Sequence, residues 1–190
     1  MLFKETDSLA AIWDTVRREL HRGAGDSKHP FHFVTMATLS AKQPDTRYVV
    51  LRQLDENLCF HIFTDSRSHK VNQLILNPAV TLLFYHSRKR CQVKVQGTAT
   101  IHQRDSLSKR HWEKVQGEAQ KAYQGMVTPG KEVANPTDAH VWEEEKGDAY
   151  FTVVAIQPFS IECLQLDGLR HLRNRFYKEG DEWKGIWLAP

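Results

Sequence analysis

The chain has 190 residues, of which 41% are hydrophobic and 26% charged, and its formal net charge is +3. That length supports one domain, residues 1–190, with its own core, and the composition excludes a disordered chain. So small a charge is no electrostatic footprint for nucleic acid or an acidic membrane. The opening MLFKETDSLAAIW lacks the basic-then-apolar order of a signal peptide, and no run is apolar for long enough to cross a bilayer, so a cytoplasmic location is the default expectation. Cys59, Cys91 and Cys163 are far apart, odd in number and outside any C-x-x-C pair, so they read as reduced, buried thiols, and no metal site is expected.

Leu9, Ile12, Trp13, Val16 and Leu20 recur at helical spacing. Asp7 or Ser8 is placed to cap that first helix, and Gly23 and Gly25 suit its end. The period then shortens. Phe31–Leu39, Arg47–Leu54 and Leu58–Thr64 read as three strands, separated by Gln43-Pro44-Asp45 and Asp55-Glu56-Asn57 turns that favour antiparallel pairing. A short helix follows from about Ser68 to Leu76, stopped by Asn77-Pro78. Ala79–His86 and Cys91–Ile101 are the next strands, with Gly97 marking a bulge.

A longer helix is expected from about Asp105 to Tyr123, then a loop through Pro129, Gly130 and Pro136. Tyr150–Leu166 reads as a strand pair or as one strand bent at Pro158. The chain closes on a hairpin turning at Gly180-Asp181. The expected architecture is mainly β: an antiparallel barrel with flanking helices, in which closure removes exposed strand edges. Periodicity alone leaves an open α+β sandwich as the alternative.

Four features carry chemistry. In Arg47-Tyr48-Val49-Val50-Leu51-Arg52, alternation sends Arg47, Val49 and Leu51 to one face and Tyr48, Val50 and Arg52 to the other. The run Phe63-Thr64-Asp65-Ser66-Arg67-Ser68-His69-Lys70 sets hydroxyls and cations around a helix N-terminus, which suits a phosphate monoester; simple helix capping is the competing reading. Gln92 stands on a strand after three cations. His171, Arg173 and Arg175 share one face of a late strand, which serves an anion or merely a solvated edge.

The order RYVVLR, FTDSRSHK, NPAVTLLFY, QVKVQGTA, with its spacing, resembles the pyridoxamine 5′-phosphate oxidase-related FMN-binding split-barrel family. The tail RNRFYKEGDEWKGIWLAP resembles that family's closing segment. The resemblance implies an antiparallel split barrel, FMN as cofactor, and a homodimer with FMN at the subunit interface. It implies that Arg47 holds the FMN phosphate with Ser68, His69 and Lys70. Val49, Val50, Leu51 and Arg52 would run along the flavin, Phe63 and Thr64 would contact it, and Gln92 and Arg175 would reach the ring. Arg52, His171 and Arg173 would meet a small-molecule substrate.

The chain also departs from that pattern. Arg52 stands where the oxidases have Lys, and His69 where they usually have Arg. Leu164 replaces an aromatic residue, the late Arg-x-His pair is reversed, and the Tyr-Arg-Ser set for the substrate phosphate is missing. The implied function is therefore an FMN-dependent oxidoreductase of unidentified substrate, with pyridoxamine 5′-phosphate oxidase activity itself doubtful and no catalytic acid or base assigned. The alternatives are a sensor or carrier that binds flavin, haem or a deazaflavin without turnover, and a basic barrel that binds nucleic acid, which the small net charge opposes.

Overall fold

The computed structural model of the protein describes residues 1–40, 43–143 and 147–190. Helix α1 (Leu9–Gly25) starts at Ser8, whose hydroxyl accepts the Ala11 amide. Its apolar stripe, Ile12, Val16 and Leu20, is fully buried. Gly25 ends the helix as expected, but Gly23 serves packing: a Cβ there would lie 2.7 Å from the Phe31 Cβ.

Strands β1 (Phe33–Leu39) and β2 (Pro44–Val50) form an antiparallel hairpin in which Met36 faces Arg47 and Thr35 faces Tyr48. The expected strand Arg47–Leu54 does not run through unbroken. At Leu51 and Arg52 the chain changes partner: the Leu51 amide bonds to His32 O, and the Arg52 amide to His61 O. It resumes as β3 (Gln53–Leu54), paired with β4 (Phe60–Asp65). Helix α2 (His69–Leu76), β5 (Ala79–His86) and β6 (Cys91–His102) follow as read from the sequence.

The long helix expected over 105–123 is two pieces, α3 (Ser106–Trp112) and α4 (Glu118–Lys121). Gly117 between them has φ +57°, a left-handed turn that no continuing helix allows. Residues 122–150, among those described, hold a short 3-10 turn, Pro136–Ala139, and an isolated antiparallel bridge between Gly125 and Trp142.

Strand β7 (Phe151–Gln165) is one long strand. Its pairing with β6 slips between Gln96 and Gly97, leaving Phe159 as the extra residue beside Pro158. The final hairpin, β8 (Leu172–Glu179) and β9 (Glu182–Leu188), turns at Gly180 as expected.

Among the described residues the nine strands form one sheet ordered β2-β1-β5-β6-β7-β4-β3, with β8 and β9 extending from the second half of β7. Because β2 and β3 are successive parts of one extended segment, that order returns to its start and the sheet curls into a barrel. The inward residues of β1, β5, β6 and β7 fill it, among them Met36, Phe84, Val95 and Ile161. Helix α1 covers one end, with the Trp13 ring tilted against those of Phe176 at 4.8 Å and Trp183 at 4.9 Å. Trp183 is thus part of the core packing, while Trp187 is exposed.

Candidate functional site

Arg47 leaves β2 on the same side as Val49 and reaches the middle of α2 at Gln73. Its guanidinium donates to Thr38 Oγ1 (2.6 Å) and Gln73 Oε1 (3.3 Å) and pairs with Asp45 (2.5 Å). Lys70, in the first turn of α2, donates to Thr64 Oγ1 at 2.9 Å on the end of β4. Ser68 Oγ lies 3.3 Å from Thr64 Oγ1, and both residues are buried. Ser68 occupies the N-cap position without a capping side-chain bond, so the competing reading of simple capping finds no support at Ser68, and the hydroxyl faces the Thr64–Lys70 group. The polypeptide thus brings Arg47, Thr64, Ser68 and Lys70 from three elements to one locus.

Electrostatics tie the two cations together. Burial, and then the nearby Arg47 charge, hold the Lys70 ammonium below its usual range. Among the described residues Lys70 has no carboxylate partner. Asp45, held low chiefly by its bond from Gln73 and by Arg47, offsets one positive charge and leaves the other. A half-buried excess of positive charge beside two hydroxyls and an uncapped helix start has the donor set of a phosphate monoester site. These residues therefore fit the phosphate of FMN.

Arg67 belongs to the loop rather than to this group: it chelates Asp65 (2.6 Å), donates to Gly125 O (2.7 Å) and stacks 3.5 Å over Tyr150. His69 is exposed, with its ring close to Gly130. Leu51 is fully buried in the core, and Val49 and Val50 are half-buried. Arg52 is exposed and sits 6.0 Å over the Phe63 ring, which in turn packs on His111 and Phe151.

Gln92, Arg173 and Arg175 lie on the outer face of the sheet. Cross-strand register sets Gln92, Leu164 and Arg173 in one row, and Lys94, Glu162 and Arg175 in the next. Glu162 takes Arg173 at 2.7 Å and Lys94 at 3.2 Å. Burial pushes the Glu162 carboxyl up, and its two cationic partners more than reverse that. His171 accepts the Asp167 amide outside that row. Among the described residues no contact joins this group to Arg47 or Lys70.

That outer face is also apolar. Tyr48 is 76% and Phe33 58% exposed, and Leu39, Tyr85 and Phe159 are exposed beside them. Sequence reasoning missed Gln73, Thr38 and Asp45, which hold Arg47 in place. Gln73 follows Lys70 by three positions on a helix, a spacing that puts both on one side.

Residues 10–103 match the family model described as the FMN-binding domain of pyridoxamine 5′-phosphate oxidase. A pyridoxine/pyridoxamine 5′-phosphate oxidase of Crocosphaera subtropica is 46% identical over 68 residues, 35% of this chain and only 31% of that protein. One from Microcystis aeruginosa aligns over 98% of this chain and 92% of its own length at 27% identity. Among solved structures, a pyridoxamine 5′-phosphate oxidase-related, FMN-binding protein of Nostoc punctiforme superposes with a TM-score of 0.79 at 21% identity, covering 97% of this chain and all of that one. PhzG from Burkholderia lata, solved with tetrahydrophenazine-1-carboxylic acid, gives 0.74 at 17% identity, over 98% and 95% of the two chains.

Proposed function

We propose, from the premise that this chain belongs to the pyridoxamine 5′-phosphate oxidase-related family of FMN-binding split barrels, that two copies of it hold FMN between them and exchange hydride with a small molecule. FMN is the cofactor. The observation that carries the reading is the division of the expected residues into two separate groups on one chain.

Arg47, Thr64, Ser68 and Lys70 hold the phosphate, with His69 at the rim. Val49, Val50, Leu51 and Arg52 run along the ring, and Phe63 closes one side of it. Gln92 and Arg175 reach the ring from the outer face of the second copy, and His171 and Arg173 from that same face meet the substrate with Arg52. The exposed Tyr48, Phe33, Leu39, Tyr85 and Phe159 supply the apolar area through which the copies associate. When bound, the isoalloxazine supplies the hydride chemistry, while the protein supplies placement and electrostatics.

The substrate differs from pyridoxamine 5′-phosphate. Helix α3 and the turn after it offer His111, Trp112, Glu113, Lys114, Val115 and Gln116, with no Tyr-Arg-Ser set for a second phosphate. Arg173, the cation nearest a substrate role, is already paired with Glu162. That pairing favours, as a second reading, a flavin carrier or sensor without rapid turnover. Stopped-flow reduction by NADPH or NADH separates the two, because only the enzyme is reduced quickly.

The cofactor assignment is tested by releasing the ligand from purified protein by heat and weighing it. FMN is expected, in a yellow protein. Colourless protein that ignores added FMN sinks the reading. Within the site, Lys70→Ala removes one charge-assisted hydrogen bond and weakens FMN by about 1.5–3 kcal/mol. An unchanged dissociation constant takes Lys70 out of the phosphate site.

A further inference from the structure

Two trios of potential metal ligands lie outside the residues assigned above: Glu19, His29 and His86, and Asp55, Cys59 and His61. In each, one donor atom per residue lies within 4.8 Å of the others. Their hydrogen bonds separate them.

In the first trio, His29 Nδ1 accepts the Phe31 amide (3.1 Å), and His86 Nδ1 accepts the Lys89 amide (3.2 Å). An imidazole whose Nδ1 accepts carries its proton on Nε2. Both Nε2–H groups then point toward Glu19, which also binds Lys89 at 2.9 Å. A histidine that ligates through one nitrogen donates a proton from the other, and here the other nitrogen is an acceptor. This trio is a closed hydrogen-bonded cluster in which neither imidazole has a lone pair to give.

The second trio is arranged the opposite way. Asp55, Cys59 and His61 share the outer face of the β3–β4 hairpin, while Leu54 and Phe60 between them point into the core. The Asp55 amide bonds to Cys59 O, and the Cys59 amide returns a bond to Asp55 Oδ1 at 2.8 Å, which fixes the carboxylate and leaves Oδ2. His61 Nδ1 meets His111 Nε2 at 3.0 Å. With Nδ1–H donating to His111, His61 Nε2 holds a lone pair and has no partner among the described residues. His111 is then the outer group that sets the tautomer, the usual companion of a metal-bound imidazole.

We propose that Asp55, Cys59 and His61 bind a borderline divalent cation, Zn²⁺ first among them, in the cleft between the β3–β4 hairpin and α3. Thiolate, imidazole and carboxylate together are a zinc donor set. The cleft holds about 460 Å³ and is also lined by His102, Arg110 and Lys114. A water completes four-coordination, while His102 keeps its Nδ1 on Asp105 at 2.7 Å at the edge of the cleft. Binding breaks the Cys59 S–H bond, forms Zn–S, and sends the proton to solvent. The Asp55 and Cys59 anions then neutralise the dication, so Arg110 and Lys114 face a centre without net charge.

The test uses the FMN-loaded full chain, incubated with Zn²⁺, desalted and analysed for metal, with affinity read by competition against a chromophoric chelator. One Zn²⁺ per chain is expected. His111→Phe weakens it about 10–100-fold, and Cys59→Ser weakens it further, with flavin absorbance retained as the sign of folding. In the wild-type chain, Zn²⁺ also protects Cys59 from alkylation, a readout that needs no variant; Cys91 and Cys163 are buried. A wild-type chain that retains no Zn²⁺, equal retention by folded Cys59→Ser, or unprotected Cys59 overturns the proposal.

Discussion

A lysine with little solvent and a second cation nearby gives up its proton more readily than one in water, and Lys70 beside Arg47 is in that position. Its folded pKa lies below the usual 10.5. Without ligand, the unfolded chain therefore holds this proton more tightly, and the Lys70 contribution to stability rises with pH up to about that value. A bound phosphate reverses the sign, because the dianion favours the ammonium. FMN affinity is expected to fall as pH climbs through the Lys70 pKa, below 10.5, and also as pH drops through the second phosphate ionisation near about 6. Titration of wild type and Lys70→Ala reads this directly: the alkaline limb disappears in the variant. An alkaline limb that survives in Lys70→Ala assigns it to another group. At this scale the cations were legible because Arg and Lys announce their charge. Gln73 and Asp45 were not, because a neutral amide and a strand carboxylate acquire their role only once β2 lies beside α2. The Asp55, Cys59 and His61 trio escaped for a related reason. A D-x-x-x-C-x-H run becomes one-sided only when a hairpin folds it.

Among the elements, β7 depends on a single glycine opposite its bulge. A Cβ on Gly97 would lie 2.6 Å from Gln157 O, a backbone atom that cannot turn away. Gly97→Ala is expected to cost about 1–3 kcal/mol, measured as a lower denaturant midpoint with unchanged m-value. An unaltered midpoint would show that β7 shifts freely there. Periodicity identifies α1 because its apolar residues recur strictly, and the Gly180-Asp181 turn marks the final hairpin. Periodicity fails over 105–123: α3 ends at Trp112, and Gly117, at φ +57°, keeps α4 from continuing it. It also reads Arg47–Leu54 as one strand, since alternation persists through Leu51 and Arg52 while the pairing partner changes beneath it.

The whole molecule presents its phosphate-type cluster at one place and Gln92, Arg173 and Arg175 at another, on a broad apolar face. Strand alternation shows that such a face exists, but not what covers it. If a second copy does, Tyr48→Glu, at a position 76% exposed, should leave the folded chain near its original stability yet shift it to monomer and release FMN in parallel. Sedimentation and flavin fluorescence follow both events; a variant that stays dimeric with FMN bound excludes Tyr48 from the interface.

The most direct measurement mixes two defective chains, Lys70→Ala and Arg175→Ala, each weak in FMN alone, and isolates their heterodimer. A site shared between copies leaves one of its two positions wholly wild type, so the heterodimer should bind one FMN at wild-type affinity. If instead it binds no better than either parent, each chain builds its site by itself and the division of roles between two copies is wrong.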